Sequence, residues 1–238
     1  MSTRISTVLF DLDGTLVDSA VGIHQAALIA AEALGAPTPD LDFVRDAIGR
    51  GVDRLIHRVG SGRQDGEIDE VRHARGLAAF QTAYAESCLD GTSFREGVPQ
   101  VMATLKAQGR RLIIATNKPR LPASLVMQRL GLDLMVDGLV CPEDAGVVKP
   151  NPIFIDHCLG SIPRSASVLV GDSSIDAATA RATDLPFIAI RGGYDEGRDI
   201  ADLIPSPDRV VDSPLDVPAA ILAIESDANV GKKTTTSG

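Results

Sequence analysis

Residues 8–19 read VLFDLDGTLVDS, and the rest of the chain is organised around them. The short apolar run Thr7–Phe10 has the character of a buried strand. It leads into Asp11, with Asp13 two residues on, and Gly14 then permits a sharp turn. Two carboxylates at the carboxyl end of a buried strand repel each other. They are costly to desolvate unless a cation or hydrogen-bond donors compensate. A hard divalent cation is the direct compensation, and Mg²⁺ suits a site of few carboxylates and several waters. An ordinary polar turn also uses Asp and Gly. An EF-hand loop likewise spaces aspartates at alternate positions. Here, however, the glycine comes early, no glutamate closes the loop, and a strand leads in.

Five further strands are expected at 111–116, 138–141, 167–172, 186–191 and 209–212. Helical patterns lie between them at 98–107, 121–130, 151–159, 174–183 and 217–224. Strands alternating with helices specify an α/β fold with a parallel sheet covered on both faces. One interval is too long. A parallel crossover needs about a dozen residues, yet roughly a hundred separate the first two strands. The excess reads as helices at 20–34, 41–48, 52–59 and 67–88, with a glycine-rich loop at 60–66 expected to be mobile. The expected division is a core of 1–18 and 91–225, a helical cap of 19–90 inserted just after the two aspartates, and a disordered polar tail of 226–238. An insertion at the mouth of the sheet suits a lid.

The 238 residues are enough to bury a substantial core. With six Phe, two Tyr and no Trp, small aliphatic residues must fill it. A net charge of −9 argues against a nucleic-acid binder, which needs a basic face. Any anionic ligand must be drawn by local cations or metal against the global charge. Cys88, Cys141 and Cys158 form no CxxC pair, so free buried thiols in a reducing, cytoplasmic setting are expected. Residues 1–10 do not read as a signal peptide, and no apolar run is long enough to span a bilayer.

Ligands of open parallel sheets bind beyond the carboxyl ends of the strands. The first strand ends in Asp11 and Asp13, and the second in Thr116, Asn117 and Lys118. The fourth ends in Gly171, Asp172, Ser173 and Ser174, with Asp176 just after, and Lys149 lies in VVKPNP between the third and fourth. Taken singly, Thr116 and Asp172 pass as helix caps and Lys149 as a solvated lysine. Converging on one rim, they make a metal site with cationic and hydroxyl donors for a phosphoryl group.

On these residues the chain resembles the haloacid dehalogenase-like hydrolases over residues 1 to about 225. The motifs are FDLDGT at 10–15, ATN at 115–117, Lys149 in VVKPNP, and GDSSID at 171–176. Within that family it is most similar to phosphoglycolate phosphatases, through IGRGVDRLI, YAESCLDGT, TNKP and RGGYDEG. The resemblance implies a Rossmann-like, doubly wound parallel sheet of strand order 3-2-1-4-5 with an inserted α-helical cap. It implies Asp11 as nucleophile and Asp13 as acid and base. Mg²⁺ would be held by Asp11, the Asp13 carbonyl and Asp172, with Asp176 behind. Thr116, the Asn117 amide and Lys149 would bind the phosphoryl group. Asp13 favours a phosphate ester over a carbon–halogen substrate, because an alkoxide leaving group needs a proton.

The implied activity is Mg²⁺-dependent hydrolysis of a small phosphorylated metabolite, 2-phosphoglycolate first among them, by a monomer or homodimer. A sugar phosphomutase and a non-catalytic phosphate-binding scaffold are the competing readings. Arg50, in GRG between two cap helices, is the candidate for the substrate's carboxylate, the alternative being a surface arginine. His24, His57, His73 and His157 show no metal-ligand spacing and are given no role.

Overall fold

The computed structural model describes residues 4–203 and 206–234. From the N-terminus, β1 (Thr7–Phe10) is followed by a two-residue strand, β2 (Val17–Asp18). Four helices come next: α1 (Ala20–Leu34), α2 (Leu41–Ala47), α3 (Val52–Ser61) and α4 (Glu70–Ser87). The return strand β3 (Ser93–Phe94) opens the alternating part: α5 (Val98–Ala107), β4 (Arg111–Ala115), α6 (Arg120–Leu130), β5 (Gly138–Val140), α7 (Pro142–Ala145) and α8 (Pro152–Leu159). Then come β6 (Ser167–Gly171), α9 (Ser174–Thr183), β7 (Phe187–Ile190), β8 (Arg209–Val211) and α10 (Val217–Thr234).

Six strands form one parallel sheet in the order β5-β4-β1-β6-β7-β8. Counting sheet strands alone, this is the expected 3-2-1-4-5 with a sixth added at the far edge. β1 sits between β4 and β6, with Phe10 in register with Ile114 and Val170. Its alternate residues feed two separate cores, as the period of a strand requires. Val8 and Phe10 join the layer built with α5, α6 and α10, and Leu9 joins the layer built with α8 and α9. The three cysteines are buried free thiols. No helix among the described residues is long and apolar enough to cross a membrane.

The four helices α1–α4 share a third hydrophobic cluster around Ala27, Ala30, Leu34, Ile56 and Phe80. Packing is tight enough that a Cβ on Gly76 of α4 would lie 2.7 Å from a Leu34 methyl and 2.9 Å from an Ile56 methyl. Both connections to this layer run through the antiparallel ribbon of β2 and β3, which no periodicity announced because each strand is two residues long. The 60–66 segment is tied down. α3 runs through Ser61, Arg58 donates to the Gln64 carbonyl at 2.8 Å, and Arg54 donates to that of Gly66 at 3.0 Å.

The expected tail requires correction. α10 continues through residues 226–234 as helix; residues 235–238 lie outside the described residues. Local sequence gives this stretch no apolar period, and tertiary anchors supply what it lacks. Val217, Ala220 and Ile221 dock on the sheet layer. The Glu225 carboxylate accepts from the Ile5 amide at 2.7 Å and pairs with the buried Arg110 at 2.8 Å. Arg209 pairs with Asp227 two residues further on. With its first turns fixed, helix propagation through a polar segment costs little.

Candidate active site

Asp11 leaves the end of β1 with its amide donating to the Val170 carbonyl at 3.0 Å. The chain then turns at Gly14, whose φ is +85° and whose amide donates to Val17. A Cβ there would sit 2.1 Å from the Asp172 carboxylate. Only glycine lets the loop after β1 come this close to the loop after β6.

Asp172, in that second loop, is buried. One of its oxygens accepts from the Thr15 hydroxyl and the other from the Tyr194 amide at 2.6 Å. Asp176, fully buried in the first turn of α9, forms a capping box with Ser173. Its Oδ2 accepts from the Ser173 hydroxyl at 2.6 Å and its Oδ1 from the Lys149 ammonium at 2.7 Å. The same ammonium is 2.9 Å from Asp11 Oδ1. Asp11 Oδ2 accepts nothing among the described residues.

A second pair stands beside the first. The buried Lys118 ammonium lies 2.8 Å from Asp13 Oδ1, which also accepts from the Ser19 hydroxyl at 2.5 Å. Lys118 also donates to the Tyr84 hydroxyl and stands 4.9 Å from the centre of that ring. Asp13 Oδ2 is without a partner among the described residues. Thr116 is buried with its own hydroxyl proton uncommitted, while its oxygen accepts from the Lys118 amide at 3.1 Å. The Asn117 side chain is a strap. It donates to the carbonyls of Gly49 (3.3 Å) and Lys149 (3.2 Å) and accepts from the Lys149 amide (2.8 Å). Its main-chain amide donates to nothing among the described residues.

Above these groups is a cleft, partly open to solvent. Asp11, Asp13, Thr116, Asn117 and Lys118 line it from the sheet side. Ile23, Ile48, Val52, Leu55 and Phe80 line it from the helical layer, together with Tyr84. Gly49 and Gly51 border it, but the Arg50 side chain between them does not. Arg50 Nε donates to Glu196 at 2.6 Å and its Nη2 reaches Ser174 at 3.3 Å. Glu196 also takes Arg58 at 2.9 Å and accepts from the Ser174 hydroxyl at 3.0 Å. The structure thus brings Asp11, Asp13, Thr116, Asn117, Lys149, Asp172 and Asp176 together and turns Arg50 away from them.

Burial pushes the Asp11 carboxyl up to about 6, and Asp176 and Asp13 add to the rise against the opposing pull of Lys149. Asp172 is pushed well above the carboxylate range, by burial and then by Asp11 and Asp176. Burial alone would depress the Lys149 ammonium, but Asp11 and Asp176 more than offset it and hold it charged. Oxygens of Asp11, Asp172 and Asp176 all lie within 4.8 Å of one another. Three buried carboxylates against one ammonium leave an excess of negative charge, and an all-oxygen donor set fits a hard divalent cation. The residues present therefore fit Mg²⁺.

Sequence reasoning gave no chemical role to Thr15, Ser19, Tyr84, Lys118, Tyr194 or Glu196. Five of them lie in stretches that carried the family resemblance, but only the folded contacts show what each touches.

A family model for haloacid dehalogenase-like hydrolases matches residues 8–190. The chain belongs to that family. It is 37% identical over 196 residues to a plasmid-borne phosphoglycolate phosphatase of Cupriavidus necator, covering 82% of this chain and 84% of that one. It is 35% identical over 198 residues to a phosphoglycolate phosphatase of Chromobacterium violaceum, covering 80% and 87%. Among solved structures, a haloacid dehalogenase-like hydrolase from Streptococcus pneumoniae superimposes with a TM-score of 0.78 over 92% of this chain and 99% of that one. At 24% identity, that likeness speaks to the fold.

Proposed function

We propose that the protein is a Mg²⁺-dependent phosphomonoesterase that hydrolyses a small anionic phosphate ester, 2-phosphoglycolate first, through an aspartyl-phosphate on Asp11. One observation carries this reading. Each aspartate of the DLD sequence is held through Oδ1 by its own buried lysine, which leaves Oδ2 of each uncommitted on the same cleft. The names of the curated relatives direct the choice of substrate.

In the first step Asp11 Oδ2 attacks phosphorus, the ester P–O bond breaks, and Asp13 gives its proton to the departing alcohol oxygen. In the second, Asp13 takes a proton from water, the water oxygen bonds to phosphorus, and Asp11 leaves as carboxylate with release of inorganic phosphate. Lys149 balances the charge of Asp11 and the phosphoryl oxygens, and Asp176 fixes where its ammonium sits. The Thr116 hydroxyl and the Asn117 amide donate to phosphoryl oxygens. Asp11, Asp172 and the Asp13 carbonyl would hold Mg²⁺, with Asp176 behind them, and the ion would supply positive charge to the transferring group. Arg50 is given no part in substrate binding. All these residues come from one chain, so a monomer or a homodimer serves, and the free thiols suit a reducing cytoplasm.

The test is a phosphate-release screen over phosphorylated metabolites, with Mg²⁺ and with excess chelator. Metal-dependent release, fastest from 2-phosphoglycolate, is expected. Undiminished turnover in chelator, or isomer formation without phosphate release, overturns the proposal.

A further inference from the structure

We infer that Lys118 and Tyr84 form the subsite for the substrate's second anionic group, a carboxylate carried one carbon from the ester oxygen. The inference rests on the phosphomonoesterase reading above and adds the group that sets its specificity.

Among the described residues, Lys118 is the one cation lining the cleft. Lys149 is committed to Asp11 and Asp176 beneath it. Arg50 and Arg58 are both taken by Glu196. An ammonium has three N–H donors. Lys118 spends one on Asp13 and one on the Tyr84 hydroxyl, and the third has no acceptor among the described residues. The Tyr84 hydroxyl accepts from Lys118, and its own proton goes to no acceptor among the described residues. Both side chains are about 95% buried, at 5% and 4% exposure, so the two spare donors are not simply spent on bulk water. Burial pushes the Tyr84 phenol up, which keeps it a donor. The rest of the cap-side wall is apolar, so a second anion on the substrate has no competing partner there.

The position sets the reach. Asp13 serves the ester oxygen, and Lys118 is 2.8 Å from Asp13 Oδ1. The atom next to that oxygen is the α-carbon of the leaving group, so a carboxylate on it falls beside Lys118 and Tyr84. Asp13 does not lose its only donor when Lys118 turns to the substrate, because Ser19 remains 2.5 Å from the same oxygen. A neutral ester leaves Lys118 with Asp13 and gains nothing from it. A longer chain places its anion further along the apolar wall.

The experiment compares kcat/KM for 2-phosphoglycolate and for ethyl phosphate, in which a methyl group replaces the carboxylate. Wild type should prefer 2-phosphoglycolate. Lys118→Met should reduce that ratio by roughly 10- to 100-fold, the worth of a hydrogen bond to a charged group. Whatever it costs through Asp13 falls on both substrates and cancels in the ratio. Tyr84→Phe keeps the ring and should reduce the ratio by roughly 3- to 10-fold; it also reads the subsite if Lys118→Met does not fold. An unchanged ratio in either folded variant, with both rates moving together, overturns the inference and leaves Lys118 as a holder of Asp13. A wild type that hydrolyses both esters without preference also overturns it, while the phosphomonoesterase reading stands. Release of phosphate from neither ester defeats that reading and this inference together.

Discussion

The two walls of the cleft solve opposite problems. On the sheet side, charge is crowded: Asp11, Asp172 and Asp176 stand together with one ammonium among them, and Asp11 and Asp172 are driven upward by burial and by neighbouring carboxylates. On the helical side, charge is scarce, and Ile23, Ile48, Val52, Leu55 and Phe80 form most of the surface. The two buried lysines mark the contrast. Lys149 divides itself between two carboxylates, whereas Lys118 has one carboxylate and a neutral phenol. The first wall is short of positive charge and fits a metal ion. The second carries almost no charge, and at its edge Tyr84 meets Lys118 of the first in a balanced group that still has donors to offer. A reacting phosphoryl group belongs to the crowded wall, and discrimination among leaving groups belongs to the seam where Lys118 and Tyr84 meet.

The comparison breaks most visibly at Asp11. Asp11→Asn should lower phosphate release by on the order of 10⁴-fold or more, the usual consequence of losing a nucleophile. Retained turnover would mean that Asp11 is not the group that takes up phosphorus.

Next in size is the asymmetry between the lysines. Lys149→Met strands two buried carboxylates, Asp11 and Asp176, and should cost about 3–5 kcal/mol in denaturant unfolding without divalent metal. Lys118→Met strands only Asp13, which keeps Ser19, and should cost less. Equal losses would mean that the surroundings of the two lysines do not differ in charge balance.

A titration sharpens the same point. The Asp11 carboxyl is raised to about 6 from an ordinary 3.8, so between pH 4 and 6 the folded chain keeps a proton that the unfolded chain has released. Stability therefore falls as pH rises through that window, by on the order of 2–3 kcal/mol in chelator. Mg²⁺ at a hundred times its Kd should restore about 2.7 kcal/mol at pH 7, a Tm increase of roughly 5–10 °C. A flat Tm across the window, or no response to Mg²⁺, would show that the carboxylates are already compensated.

The smallest effect is expected at Arg50, whose side chain is 42% exposed in its pair with Glu196. Arg50→Ala should cost under about 1 kcal/mol and change KM for 2-phosphoglycolate and p-nitrophenyl phosphate by the same factor. A rise confined to 2-phosphoglycolate would return the carboxylate to Arg50.

Much of this was legible beforehand, for identifiable reasons. The run before Asp11, the two aspartates and the alternating strands and helices are local signals, and the sheet places their loops on one rim. Arg50 shows where such reading ends. Its glycine neighbours do border the cleft, but which way the side chain turns depends on Glu196, nearly 150 positions along the chain. Lys118 stands beside the ATN motif and was given no role, because nothing local reveals that Asp13 and Tyr84 enclose it. The helix through residues 226–234 was missed for the same reason: Arg110 and the Ile5 amide, which hold Glu225, lie over a hundred residues upstream.

The sequence by itself determined the parallel sheet, the helical insertion and the identities of the acidic residues, the Thr and the Lys on the rim, because hydrophobic period and strand-end position are properties of neighbours along the chain. Only the tertiary structure decided which lysine serves which aspartate, which oxygens remain uncommitted, and which cation faces the cleft. Those depend on distances of a few ångströms between groups far apart in sequence, and on a burial that makes each unmatched charge expensive.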